Sequence, residues 1–84
     1  MKKALANKIA KHWNEYFAGS TDATKTIAVV KHENVYIYPT ADNDGRCFYH
    51  NEELADVMRT FKVSGLVCMR DNEHGNTIVV ARLF

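Results

Sequence analysis

The stretch DNDGRCFYHNEE, residues 42–53, gathers Asp42, Asp44, Cys47, His50, Glu52 and Glu53 into twelve positions. These residue types build metal sites and nucleophilic catalysts, and three chemistries suit them. The first is calcium binding, since aspartates ahead of Gly45 resemble the centre of an EF-hand loop. With Gly45 in the glycine position, however, the first ligand falls on Thr40 and the bidentate glutamate falls on Asn51, and no helix precedes the loop. Asp44-Gly45 reads instead as a tight turn, where positive φ is needed.

The second chemistry is zinc binding. Cys47, His50, Cys68 and His74 read as C-x2-H-x17-C-x5-H. A zinc knuckle bends sharply so that its paired ligands point at one metal, whereas CFYH has bulky aromatics and no glycine between its ligands. In an extended strand Cys47 and His50 fall on opposite faces. Cys68 sits in the apolar LVCMR, where a buried thiol is ordinary. The third chemistry is a Cys-His nucleophile. A reactive thiol needs a helix N-terminus or a cationic neighbour, but Cys47 has Asp44, Glu52 and Glu53 around it and only Arg46 to compensate. Ser20 and Ser64 read as loop residues outside any nucleophile elbow. The residues therefore point to no metal, no cofactor and no catalytic group.

The elements that would position these side chains are readable from periodicity. Leu5, Ile9, Trp13, Tyr16 and Phe17 follow the spacing of one helix face, with Lys8, Lys11, Asn14 and Glu15 largely on the other and Gly19 placed to end the helix. TIAVVK and VYIYP read as two strands joined by a three- or four-residue connection around HEN, and Pro39 closes the second. RCFYH reads as a third, shorter strand. Asn51 is a suitable N-cap for a second helix. Its first turns hold Glu52, Glu53 and Asp56, its apolar stripe is Leu54, Val57, Met58 and Phe61, and Gly65 stands near its end. LVCMR and TIVVARLF form a last hairpin around DNEHGN. Ile78, Val79, Val80 and Ala81 are apolar on both faces, which suits an interior strand.

The order α-β-β-β-α-β-β predicts an α+β fold in two layers. One mostly antiparallel sheet of about five strands, its strand order left open, carries two helices on one face. Residues 1–84 read as a single compact domain. The hydrophobic content of 46% and charged content of 25% are those of a globular chain rather than a disordered one. The single proline and four glycines exclude a low-complexity chain. MKKALANKIAKHW opens like a signal peptide, but Asn7, Lys8 and Lys11 interrupt its apolar region. No run approaches the roughly 20 apolar residues of a membrane span. A cytoplasmic protein with free thiols and no membrane contact is the expectation.

The net charge of +1 hides an asymmetry. The start is basic through Lys2, Lys3, Lys8 and Lys11, and residues 42–56 are acidic. VYIYP and GRCFYH resemble the aromatic motifs of RNA-recognition sheets, yet they lie on consecutive strands rather than distant ones. The α-β-β-β-α opening resembles the double-stranded-RNA-binding domain. That family grips phosphate with a basic start to its second helix, where this chain has Asn51, Glu52 and Glu53. Neither family is assigned. The leading expectation is a small interaction module, inhibitor or regulator that binds a protein and catalyses nothing. It would use Tyr36, Tyr38, Arg70 and Arg82 on the open sheet face, or Asp42 and Asp44 of the acidic loop, since tyrosine and arginine are enriched at interface hot spots. A second copy of the chain could dock on the same face. The alternative is an RNA- or DNA-binding module using Lys2, Lys3, Lys8 and Lys11.

Overall fold

The structure, a computed structural model, describes residues 1–19, 26–39, 50–71 and 77–84. Two helices and four strands follow in the order α1 (Lys3–Tyr16), β1 (Thr26–Lys31), β2 (Asn34–Pro39), α2 (Asn51–Phe61), β3 (Gly65–Asp71) and β4 (Thr77–Leu83). The strands form one sheet in the order β1-β2-β4-β3, and every neighbouring pair is antiparallel. β4 is interior, as its two-sided apolar run predicts. The described residues thus hold four strands rather than five. The strand expected over RCFYH falls on residues 46–49, outside the described set, and His50 is the N-cap of α2 rather than a strand residue.

One face of the sheet carries both helices. Ala28, Val35, Ile37, Val79, Ala81 and Leu83, all of one strand parity, share a hydrophobic cluster with Ala6, Ile9, Ala10, Trp13 and Phe17 of the α1 segment and Leu54 and Val57 of α2. α1 has little to hold it locally. It has no side-chain cap and no acidic residue in its first turn, and Lys2 and Lys3 stand at the end where the helix dipole disfavours cations. Packing does the holding, with α1 lying over β1 and β2. Trp13 is its anchor: the ring is buried, and its indole Nε1 donates to the buried hydroxyl of Thr26 at 3.0 Å.

Two side chains of α1 depart from the periodic reading. Tyr16 belongs to the expected apolar stripe but is 64% exposed. It lies in the last turn at the margin of the stripe, and its ring meets Phe17 edge-on at 4.9 Å. Asn14, expected on the solvent side, reaches β1. Its Nδ2 donates to the carbonyl of Ala28 at 2.9 Å, and its Oδ1 accepts from the Ala28 N–H at 2.8 Å. In an antiparallel edge strand every second residue turns its backbone groups away from its partner. Ala28 is one of these, and the Asn14 amide pairs with it as a neighbouring strand would.

The β1–β2 hairpin is tighter than expected. Lys31 pairs with Asn34, so the loop is only His32 and Glu33, both at positive φ (51° and 64°). Two such residues in sequence mark a type I′ turn, whose twist matches that of the strands and which favours Asn-Gly. His32→Asn with Glu33→Gly is therefore expected to stabilise the chain by about 1 kcal/mol, read as a raised denaturant midpoint.

α2 begins one residue earlier than its best capping residue suggests. His50 is the cap and makes no side-chain cap bond, and Asn51 is already helical. The imidazole instead packs on Phe17 at 4.5 Å and meets Trp13 edge-on at 6.5 Å, tying the start of α2 to α1. Glu52 and Glu53 stand in the first turn and Arg59 in the last, each favourable to the dipole. The helix stops at Lys62, which is left-handed (φ 55°), and the Val63 N–H reaches back to the Met58 carbonyl at 3.1 Å. Gly65, expected to end the helix, opens β3. A Cβ there would stand 2.7 Å from Leu83 Cδ2 and 3.2 Å from Met58 Sδ, so close packing rather than helix termination requires glycine.

Candidate interaction face

With both helices on one side, the other side of the sheet displays the opposite parity. The register sets Val29 beside Tyr36, Tyr36 beside Arg82 and Arg82 beside Leu66, forming one row across all four strands. Ile27 and Tyr38 pair in the next row. Tyr36, Tyr38 and Arg82, taken from two strands distant in sequence, are thus neighbours on one surface. Arg70 occupies a position of the same face through its pairing with Ile78, and its side chain lies outside the described set. Asp42 and Asp44 also lie outside it.

The chemistry of this face is apolar, aromatic and cationic. Ile27 is 49% exposed, Val29 37%, Leu66 42% and Phe84 42%. Tyr36 and Tyr38 stack with ring centroids 6.3 Å apart. Lys31 lies over the Tyr38 ring at 5.1 Å and donates to its hydroxyl at 3.1 Å. The Arg82 guanidinium lies 5.0 Å from the Phe84 ring centroid. Val80, on the same face but in an interior strand, is fully buried. No described side chain of this face is acidic.

The sequence reading named the tyrosines and Arg82 but not the aliphatic residues around them. Their signal was present. TIAVVK is apolar at consecutive positions, so whichever parity faces the helices, the other shows apolar residues to solvent, either Ile27 and Val29 or Ala28 and Val30.

The four lysines proposed for nucleic acid lie elsewhere. Lys3, Lys8 and Lys11 are exposed on α1 and Lys2 is exposed at its N-cap, in the layer opposite the open face. Lys11 is 3.9 Å from Glu15, an exposed pair one helical turn apart. That layer also holds a shallow cleft of about 150 Å³ between the helices, lined by His12, Trp13 and Tyr16 of α1 and by Glu53, Asp56, Val57 and Thr60 of α2. Pockets for cofactors and drug-sized ligands run to about 300–1,000 Å³, so this one holds a side chain at most. Glu53 lies 3.9 Å from His50 Nδ1, and Asp56 bonds Arg59.

Among the described residues no group of three or more His, Cys, Asp or Glu side chains could hold a metal. Of the four zinc candidates, Cys47 and His74 lie outside the described residues, as does the side chain of Cys68, while His50 packs against Phe17 and Trp13. No helix among the described residues is long and apolar enough to cross a membrane. Comparison with protein-family models, with curated proteins and with solved structures finds no match for this chain.

Proposed function

We propose that this chain is a small interaction module, an inhibitor or regulator, that binds a protein partner across the open face of its sheet and carries out no chemistry of its own. The observation behind this reading is the cluster of Ile27, Val29, Leu66 and Phe84, all exposed, around Tyr36, Tyr38 and Arg82. An antiparallel sheet with one wet face ordinarily alternates apolar residues inward with polar residues outward. Here the outward positions are apolar and aromatic too, and their types match those that dominate binding energy at interfaces. A contiguous apolar patch rimmed by polar groups is how docking surfaces distinguish themselves from scattered exposed hydrophobics.

The face and the lysine helix occupy opposite layers, so they can be tested separately. Affinity capture from the native cell, after nuclease treatment, is expected to recover a protein partner with the wild-type chain and with Lys8→Glu plus Lys11→Glu. Tyr36→Ala with Tyr38→Ala is expected to weaken that capture by more than about 30-fold, the loss of at least one hot-spot side chain. The opposite pattern, with binding lost to nuclease, to salt and to the lysine reversals, would identify α1 as a phosphate-binding surface and overturn the reading.

A further inference from the structure

We infer that the partner meets Arg82 with a carboxylate set in an otherwise apolar segment; this rests on the open face being the docking surface. Arg82 sits in the middle of the exposed row, between Tyr36 and Leu66. Its Nε is sealed from solvent and has no hydrogen-bond partner, and among the described residues the guanidinium makes no ion pair. The guanidinium lies over the ring of Phe84. The sealed Nε is beyond a partner's reach, so a carboxylate would meet the terminal Nη groups, and a planar guanidinium already held against a ring is preorganised for that bidentate contact.

The surroundings select among anionic partners. A phosphate or a nucleic-acid backbone is ordinarily gripped by several cations together. Lys31 accompanies Arg82 among the described side chains of the face and donates to the Tyr38 hydroxyl, and Arg70 holds a position of the same face two rows away from Arg82. The rest is Ile27, Val29, Leu66, Phe84 and two tyrosines, which favour apolar groups on either side of a single charge. A second copy placed face to face would bring Lys31 and Arg82 again and no described acidic side chain, so no described side chain of that surface would answer the charge. Sheet extension through the β1 edge is blocked at Ala28 by Asn14. A partner chain bearing aspartate or glutamate among apolar residues satisfies both the charge and the apolar surface.

The test uses a random peptide library displayed on phage and selected against the whole 84-residue chain. Enriched peptides are expected to carry Asp or Glu flanked by apolar or aromatic residues, and to lose binding with Tyr36→Ala plus Tyr38→Ala. Changing that acid to its amide should weaken binding to the wild-type chain roughly 10- to 100-fold. Against Arg82→Gln the same change should cost almost nothing, and Arg82→Lys should restore part of the difference. The peptide substitution leaves the protein untouched, so the result does not depend on how a variant folds. Peptides that need Tyr36 and Tyr38 but bind equally as acid and amide would overturn the carboxylate inference and leave the docking face standing. Enriched peptides indifferent to both tyrosines would overturn the docking face and the inference with it.

Discussion

Trp13→Ala is expected to remove between about a third and all of the chain's folding free energy at 25 °C. The ring is 1% exposed, touches Phe17 and His50, and is the largest fully buried side chain of the structure. Truncating a buried tryptophan costs about 3–5 kcal/mol, whereas a domain of this size has about 5–10 kcal/mol in total. α1 has no cap and no favourable dipole charge in reserve, so loss of this anchor should release the helix as well as open a cavity. Circular dichroism through a urea titration reads the effect, and a midpoint shifted by only a few tenths of a molar would contradict it. Thr26→Val is the milder companion. It keeps the shape and removes the acceptor of the indole N–H, for an expected loss of about 1–3 kcal/mol. Because Trp13 is the only tryptophan, its emission follows that variant directly.

Asn14→Ala is expected to lower stability by about 1–3 kcal/mol and to make the chain self-associate. Two hydrogen bonds to Ala28 are lost together, each worth about 0.5–1.5 kcal/mol. The second effect follows from where they are. β1 is an edge strand, and unpaired N–H and C=O groups on an edge are a template for another strand. Sedimentation at rising concentration should show dimers or larger species for the variant and not for the wild type. Asn14→Asp separates the amide from mere bulk. A carboxylate can still accept from the Ala28 N–H but cannot donate to its carbonyl, which it would repel. It should therefore be at least as destabilising as Asn14→Ala. An Asp variant as stable as the wild type would show that the two-sided clip is not what holds the edge.

Much of the architecture is legible in the residues because it follows from local rules. The stripe of Leu5, Ile9, Trp13 and Phe17, the β-branched runs and the acids at the start of α2 each give their element away over a few residues. What local pattern misjudges is the fine position of boundaries and turns. Asn51 is the better capping residue by type, but His50 takes the cap position, where its ring packs on Phe17. Gly65 looks like a helix terminator, but Lys62 takes the left-handed residue and Gly65 serves the contact with Leu83. In both cases a tertiary contact outweighs a propensity worth about 1 kcal/mol.

The candidate face divides along the same line. The alternation of β2 alone puts Tyr36 and Tyr38 on one side, and the two-sided apolar character of β1 alone implies an exposed apolar pair, which the structure shows to be Ile27 and Val29. That Arg82 joins them depends on β4 pairing with β2 in one register, since a slip of one residue would turn Arg82 toward the helices. Register between strands as distant in sequence as those of Tyr36 and Arg82 is set by the summed packing of both layers, which no short stretch encodes. The sequence by itself determined both helices and the four described strands, the two-layer class and the residue types available for binding. Only the tertiary structure decided which of those residues share a surface, and it turned an asparagine of a helix into the closing partner of a strand, because both depend on contacts made across the whole core.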